Sequence, residues 1–123
     1  MSIISTILVI VVAVEALGIM GLEMFGSQTA TAAKVFDFSA EYQSRPETKT
    51  TMANIGLYNG FVGVGLLIMR FMLPENAVLL GCLVFTGFVV IAGIYGAITV
   101  NRQIALTQGL PALLAFLSLM ILG

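Results

Sequence analysis

The sequence predicts an all-α membrane protein, an antiparallel bundle of four transmembrane helices that forms one domain over residues 1–123. Hydrophobic residues make up 59% of the chain and charged residues only 9%, whereas soluble domains carry about 25% charge. A helix that crosses the ~30 Å hydrocarbon core needs roughly 20 mainly apolar residues. Four stretches of the chain meet that length.

The first predicted helix covers about residues 3–25. No Lys or Arg precedes it, and Glu15 and Glu23 interrupt its apolar run. That run is also longer than the apolar part of a secretory signal peptide. We therefore expect a retained membrane span rather than a cleaved leader.

The second predicted helix covers about residues 45–73 and follows the one sizeable polar loop, about residues 26–44. A capping box is predicted at its start, where the Ser44 hydroxyl accepts a hydrogen bond from the backbone N–H of Glu47. Pro46 suits the first helical turn, because its missing N–H has no partner to lose there. The helix is therefore expected to begin before its apolar stretch.

The third and fourth predicted helices cover about residues 77–100 and 104–122. A tight turn at residues 73–76 joins the second helix to the third. In the fourth helix, Pro111 has no N–H to donate to the carbonyl of Thr107, so a kink is expected there.

Charge in the loops predicts the orientation, because Lys and Arg accumulate on the cytoplasmic side of a membrane. The polar region ahead of the second apolar stretch, which includes the start of helix two, carries Lys34, Arg45 and Lys49. The third loop carries Arg102, and the opposite side carries only Arg70. We therefore expect the loop at 26–44 to be cytoplasmic and both termini to lie outside.

Small residues at helical spacing predict close helix packing, since lipid supplies no hydrophobic force between helices. Helix two carries a GxxxG at Gly56 and Gly60, and small residues recur on helices three and four. On helix one the small residues are spaced by two or three. We therefore expect helix one to pack less closely than the others.

Glu15 and Glu23 are the main functional candidates. An ionised carboxylate in an apolar helix costs about 2.5 kcal/mol or more, so it has to pair, face a cavity or become protonated. Eight residues separate the two, which is about 12 Å along a helix axis. They share a broad face of the helix but are too far apart to form a carboxylate dyad.

Other polar side chains complete the candidate set for binding a ligand or a proton. They are Asn54, Tyr58 and Asn59 on helix two, Tyr95 on helix three and Gln108 on helix four. One interpretation is a functional polar cavity. The other is interhelical hydrogen bonding that holds the bundle in register, at about 0.6–2 kcal/mol per pair. For Glu15 we favour function, because a Gln would hold helices together at a lower cost.

Several classes of function are disfavoured by what the chain lacks. It has no His and a single Cys, Cys82, so imidazole metal sites, Ser-His or Cys-His catalysis and a CxxC pair are excluded. The net charge of −1 provides no basic surface for nucleic acid. A membrane-embedded enzyme with Glu15 or Glu23 as general acid or base beside Tyr58 is a third hypothesis. No nucleophile or cofactor motif supports it, and no metal or cofactor is predicted.

Several short motifs occur in the order typical of a family of small bacterial membrane proteins. They are VE at 14–15, GIMGLEMF at 18–25, KVF at 34–36, ANIGLYNGF at 53–61, AGIYGA at 92–97 and QGLPALL at 108–114. Over nearly its whole length the chain resembles the family catalogued as domain of unknown function 1304. The resemblance implies a four-helix protein of the bacterial cytoplasmic (inner) membrane and carries over no established site residue. The family often has a His directly after the first Glu, where this chain has Ala16.

The predicted function is a small transporter or permeation unit that uses an intramembrane carboxylate. Four helices are few for a transport path, so a homodimer is expected by analogy with small multidrug-resistance transporters, which also carry a Glu in the first helix. The alternative is an accessory membrane protein that binds a lipid or small molecule in apolar grooves. The expected partners are membrane lipid, a small-molecule or ion ligand and a second copy of the chain.

Overall fold

The computed structural model describes residues 1–103 and 105–123, and within these ranges the chain is helical without strands. The elements are α1 (Ile3–Phe25), α2 (Ala30–Phe36), α3 (Ala40–Ser44), α4 (Pro46–Phe71), α5 (Glu75–Thr99), a π-helical segment (Ala105–Gly109) and α6 (Leu110–Ile121). The all-helical class predicted from composition is therefore confirmed for this part of the chain.

In the described part of the chain, three helices, α1, α4 and α5, are long and apolar enough to cross a membrane. The helical stretch Ala105–Ile121 is apolar but shorter. It overlaps the predicted fourth helix, whose predicted first residue, Ile104, lies outside the described residues. The membrane-protein class thus rests on three helices.

The predicted polar loop at 26–44 contains two short helices, α2 and α3, that sequence reasoning missed. Thr29 caps α2 by accepting from the backbone N–H of Ala32, and Ser39 caps α3 by accepting from that of Tyr42. Such caps satisfy backbone donors that a helix start leaves free. Asp37 ends α2 in the left-handed region, with φ 57°, a conformation that Asp tolerates better than most residues.

The predicted capping box at the start of α4 is wrong. Ser44 belongs to α3, and its hydroxyl donates to the carbonyl of Glu41 at 2.8 Å. Arg45 is extended, as expected for a residue before proline. Its backbone conformation separates α3 from α4, so Ser44 does not sit at the N-cap. The placement of Pro46 in the first turn is confirmed.

The kink predicted at Pro111 stays a prediction, and the structure shows a π-helical segment directly before that residue. The segment ends at Gly109, and Pro111 lies in the first turn of α6. Proline fits there because its missing N–H is one that a helix start leaves unbonded. The predicted short connection between the second and third helices is also present, at residues 72–74, and the Ala77 N–H donates to the Pro74 carbonyl at 2.8 Å in the first turn of α5.

One compact unit comprises Met1–Glu15 and Val62–Gly123. Its buried core consists of Val9, Val12, Ala13, Leu66, Cys82, Ala112, Ala115 and Leu119. Cys82 is a small buried side chain, as its isolation in the sequence predicts. Within this unit α5 meets the π-helical segment backbone to backbone, since a Cβ added at Gly93 would lie 2.6 Å from the Cα of Gly109.

The second compact unit is Ala16–Phe61. Here the GxxxG of α4 packs on α1: a Cβ added at Gly56 would lie 2.9 Å from the Cβ of Glu23, and one at Gly60 would lie 2.5 Å from the Sδ of Met20. The expectation that helix one packs less closely than the other helices stays a prediction, although α1 and α4 are in close contact in this unit. Small residues are needed on only one partner, and the glycines of α4 form the groove that α1 side chains fill.

Candidate functional site

Glu23 is a buried carboxylate in the unit Ala16–Phe61. Its residue is 5% exposed, and the side-chain amide of Asn59 donates to its Oε1 at 2.5 Å. This is a direct hydrogen bond between α1 and α4. The structure thereby brings together two of the residues that the sequence nominated.

The GxxxG motif explains how Asn59 reaches Glu23. Gly56, Asn59 and Gly60 lie three and four residues apart, so they share one face of α4. A side chain at Gly56 would collide with α1, whereas glycine lets the two backbones approach. That approach brings the amide of Asn59 within hydrogen-bonding distance of the carboxylate.

The charge of Glu23 has no cationic partner in the described part of the chain. The ion pair present there joins Arg45 to Glu41 at 2.9 Å, on the exposed surface. An amide dipole compensates a buried charge less than a cation does, because it carries no net charge. The site therefore retains an uncompensated acidic group.

Two other candidates of the same unit do not join this pair. Asn54 is exposed and donates to the carbonyl of Thr50 on its own helix at 2.9 Å. Tyr58 is 67% exposed, and its ring packs edge-on against Phe61 with centroids 5.8 Å apart. Both side chains therefore lie on the outer surface of this unit, away from the hydrogen bond between α1 and α4.

The remaining candidates belong to the other unit. Glu15 is half-buried, and no described residue hydrogen-bonds or ion-pairs with its side chain. Tyr95 is 63% exposed on α5. Gln108 is half-buried in the π-helical segment. Among the residues described for this unit, no hydrogen bond links these three side chains.

Sequence reasoning missed a group of hydroxyls near the start of α1. Ser2 donates to Ser5 at 2.9 Å, and the Ser5 hydroxyl lies 2.6 Å from that of Ser118 on α6. Thr6 accepts from the Nε of Arg70 on α4 at 3.1 Å. The available signal was the spacing of three and four residues between Ser2, Ser5 and Thr6, which places them on one side of a helix turn.

An apolar cleft lies where α5 faces the interrupted helix. It has a volume of about 240 Å³. Its lining includes Val90, Gly93, Ile94, Leu106, Leu110 and Leu113. Among the residues that the structure describes, no group of three or more Asp, Glu or Cys is placed to hold a metal ion.

Comparison with known proteins shows which family the chain belongs to. Residues 10–120 match the family described as "Protein of unknown function (DUF1304)". The chain belongs to this family. It is also similar to "Uncharacterized protein YpaA" of Lactococcus lactis subsp. lactis (strain IL1403), with 35% identity over 118 residues that cover 96% of this chain and 98% of the relative. No solved structure matches the chain significantly. The family resemblance inferred from the motifs is therefore confirmed.

Proposed function

We propose that the protein is a four-span antiparallel bundle in a bacterial cytoplasmic (inner) membrane, with Ala105–Ile121 as the fourth span. The apolar character of that stretch and the bacterial source of the relative support this. The loop between α1 and α4 is cytoplasmic and both termini are outside, in accord with the distribution of Lys and Arg.

Within that bundle, the protein works as a small transporter or permeation unit in which Glu23 binds and releases a proton or a small cation. The observation that carries this proposal is the buried carboxylate whose single hydrogen-bond partner among the described residues is the amide of Asn59. Such a group changes state by taking up a proton or a cation, because ionisation without either is costly in apolar surroundings. Glu15, whose side chain has no hydrogen-bond or ion-pair partner among the described residues, is the second acidic position.

A second copy of the chain completes the transport path. Four helices enclose little space of their own, and Asn54 and Tyr58 expose polar groups on the surface of α4. A homodimer that covers this surface would remove those groups from lipid, where unsatisfied polar groups are unfavourable.

Reconstitution into proteoliposomes tests the proposal. Proton entry driven by a potassium diffusion potential is followed with trapped pyranine, with and without tetraphenylphosphonium as the test cation. Glu23→Gln removes the central titrating group, so we expect it to reduce the protein-dependent proton flux at least about tenfold. Glu47→Gln, which changes an exposed acid in the first turn of α4, is the matched control. Equal flux in the wild type and Glu23→Gln would exclude Glu23 as the coupling group.

The alternative is an accessory protein that binds a lipid or an apolar small molecule, and the cleft beside the π-helical segment favours it. At about 240 Å³ the cleft is smaller than the usual ~300–1,000 Å³ of ligand pockets, so it suits an acyl chain or one part of a ligand. Native mass spectrometry after gentle extraction tests this. A bound mass that disappears in Leu113→Phe supports the alternative, and a ligand-free wild type argues against it.

A further inference from the structure

Arg70 is a half-buried cation held in a defined orientation near the end of α4. Its Nε–H donates to the hydroxyl of Thr6 at 3.1 Å, and its guanidinium lies over the ring of Phe71, 5.0 Å from the centroid. A cation at this distance from an aromatic face is attracted to it. Two contacts, one from α1 and one from the neighbouring residue, therefore fix the plane of the guanidinium.

The terminal nitrogens of Arg70 remain available for a ligand. No described carboxylate lies within ion-pairing distance of them, and the hydrogen bond to Thr6 uses only one of the five N–H donors of a guanidinium. The other four N–H groups have no hydrogen-bond partner among the described residues, and a guanidinium presents such groups as the fork that matches a phosphate or carboxylate. The cation is thus oriented without being neutralised.

A cavity of about 490 Å³ lies beside this guanidinium, within the unit that contains both chain ends. Its lining includes Ser2, Arg70, Glu75, Val78, Leu79 and Leu122. The wall therefore combines the guanidinium of Arg70, the hydroxyl of Ser2 and apolar side chains with the carboxylate of Glu75, and Met1 and Gly123 complete it. A volume of this size admits a phosphate together with part of the molecule that carries it.

We propose that Arg70 and this cavity bind a phosphate group. The two terminal nitrogens of Arg70 donate two parallel hydrogen bonds to phosphate oxygens, the geometry in which Arg–phosphate pairs are strongest. Phe71, whose ring lies against the guanidinium, and the next residue, Met72, are exposed apolar side chains, which favours a phosphate carried by a lipid whose acyl chains contact them. Soluble phosphate has the same oxyanion chemistry and is distinguished by experiment.

A change at Glu75 provides a test in which the affinity for phosphate is expected to rise rather than fall. This exposed carboxylate lines the same cavity, where it repels an anion. Neutralising it in Glu75→Gln is expected to strengthen phosphate binding about twofold, and less at high salt, because the interaction passes largely through water. The gain does not depend on a change in the fold, since the side chain is exposed.

The binding experiment uses the full-length protein in a nonionic detergent and isothermal titration calorimetry. Three probes are compared: dihexanoyl phosphatidylglycerol, the uncharged dihexanoylglycerol, and inorganic phosphate. The phospholipid is expected to bind and to lose at least about tenfold in affinity in Arg70→Gln, since a charge-assisted hydrogen bond is removed. Arg102→Gln, which removes an exposed cation of the same unit, is the matched control and is expected to retain affinity.

The outcomes separate the sources of phosphate. Binding of the phospholipid but not of inorganic phosphate assigns the site to a lipid headgroup, and comparable binding of both assigns it to phosphate itself. Should Arg70→Gln fail to fold, Glu75→Gln and the charge-conserving Arg70→Lys decide, with the Lys variant expected to bind several-fold more weakly because it lacks the fork. Two results overturn the proposal. One is that the uncharged dihexanoylglycerol binds as tightly as the phospholipid, and the other is that Arg70→Gln and Arg102→Gln bind the phospholipid with equal affinity.

Discussion

The contact between Gly93 on α5 and Gly109 in the π-helical segment yields the sharpest stability prediction. A Cβ added at Gly93 would lie 2.6 Å from the Cα and 2.9 Å from the backbone N of Gly109. Backbone atoms cannot rotate away as a side chain can, so Gly93→Ala forces the two segments apart. Overpacking costs about 1–3 kcal/mol, and a backbone clash belongs at the upper end of that range.

Two alanine substitutions nearby serve as matched controls. A Cβ at Gly87, also on α5, would meet the ring of Phe116 at 3.5 Å, and a Cβ at Gly109 would lie 3.7 Å from the Cα of Gly93. Both distances are ordinary van der Waals contacts. Gly109 thus has room for a Cβ whereas Gly93 does not, although the two glycines face each other. Replacing a helical glycine by alanine also gains about 1 kcal/mol of helix propensity. We therefore expect Gly87→Ala and Gly109→Ala to be neutral or stabilising.

The net expectation for Gly93→Ala is a loss of about 2 kcal/mol, the difference between a clash near 3 and a propensity gain of about 1. Unfolding in mixed micelles of increasing dodecyl sulfate content measures it. Far-ultraviolet circular dichroism is the suitable probe because the chain has no Trp. If Gly93→Ala is as stable as Gly87→Ala and Gly109→Ala, the inferred backbone contact is incorrect.

The other predictions use the same unfolding assay. Asn59→Leu leaves the Glu23 carboxylate without its donor and is expected to cost about 1–3 kcal/mol; the loss should shrink in a Glu23→Gln background, and additive effects would contradict the pairing. Gly56→Ala is expected to destabilise more than Gly60→Ala, because the added Cβ would also lie 3.1 Å from a backbone carbonyl of α1, whereas at Gly60 it meets a flexible methionine side chain; equal losses would argue against this. Ser118→Ala is expected to cost about 0.6–2 kcal/mol through loss of its hydrogen bond to α1, and an unchanged midpoint would refute that contribution.

The candidate site shows where sequence reasoning succeeds and where it stops. Glu23 and Asn59 were both nominated because polar groups in apolar helices need a reason to be there. Their pairing was not predicted, since nothing in the sequence states the rotation of α1 against α4. The two short helices in the loop at 26–44 were missed because the loop was interpreted by its polarity, although Thr29 and Ser39 are residue types that begin helices.

The sequence by itself determined the class of the protein and the position of α1, whose observed bounds, Ile3–Phe25, agree with the prediction. It did so because membrane compatibility depends on the length and composition of a segment, which do not require knowledge of its neighbours. Only the tertiary structure decided that Asn59 partners Glu23, that Glu15 is left without a partner among the described residues, and that Arg70 faces a cavity. Those outcomes depend on helix rotation and register, which are set by packing between residues far apart in the chain.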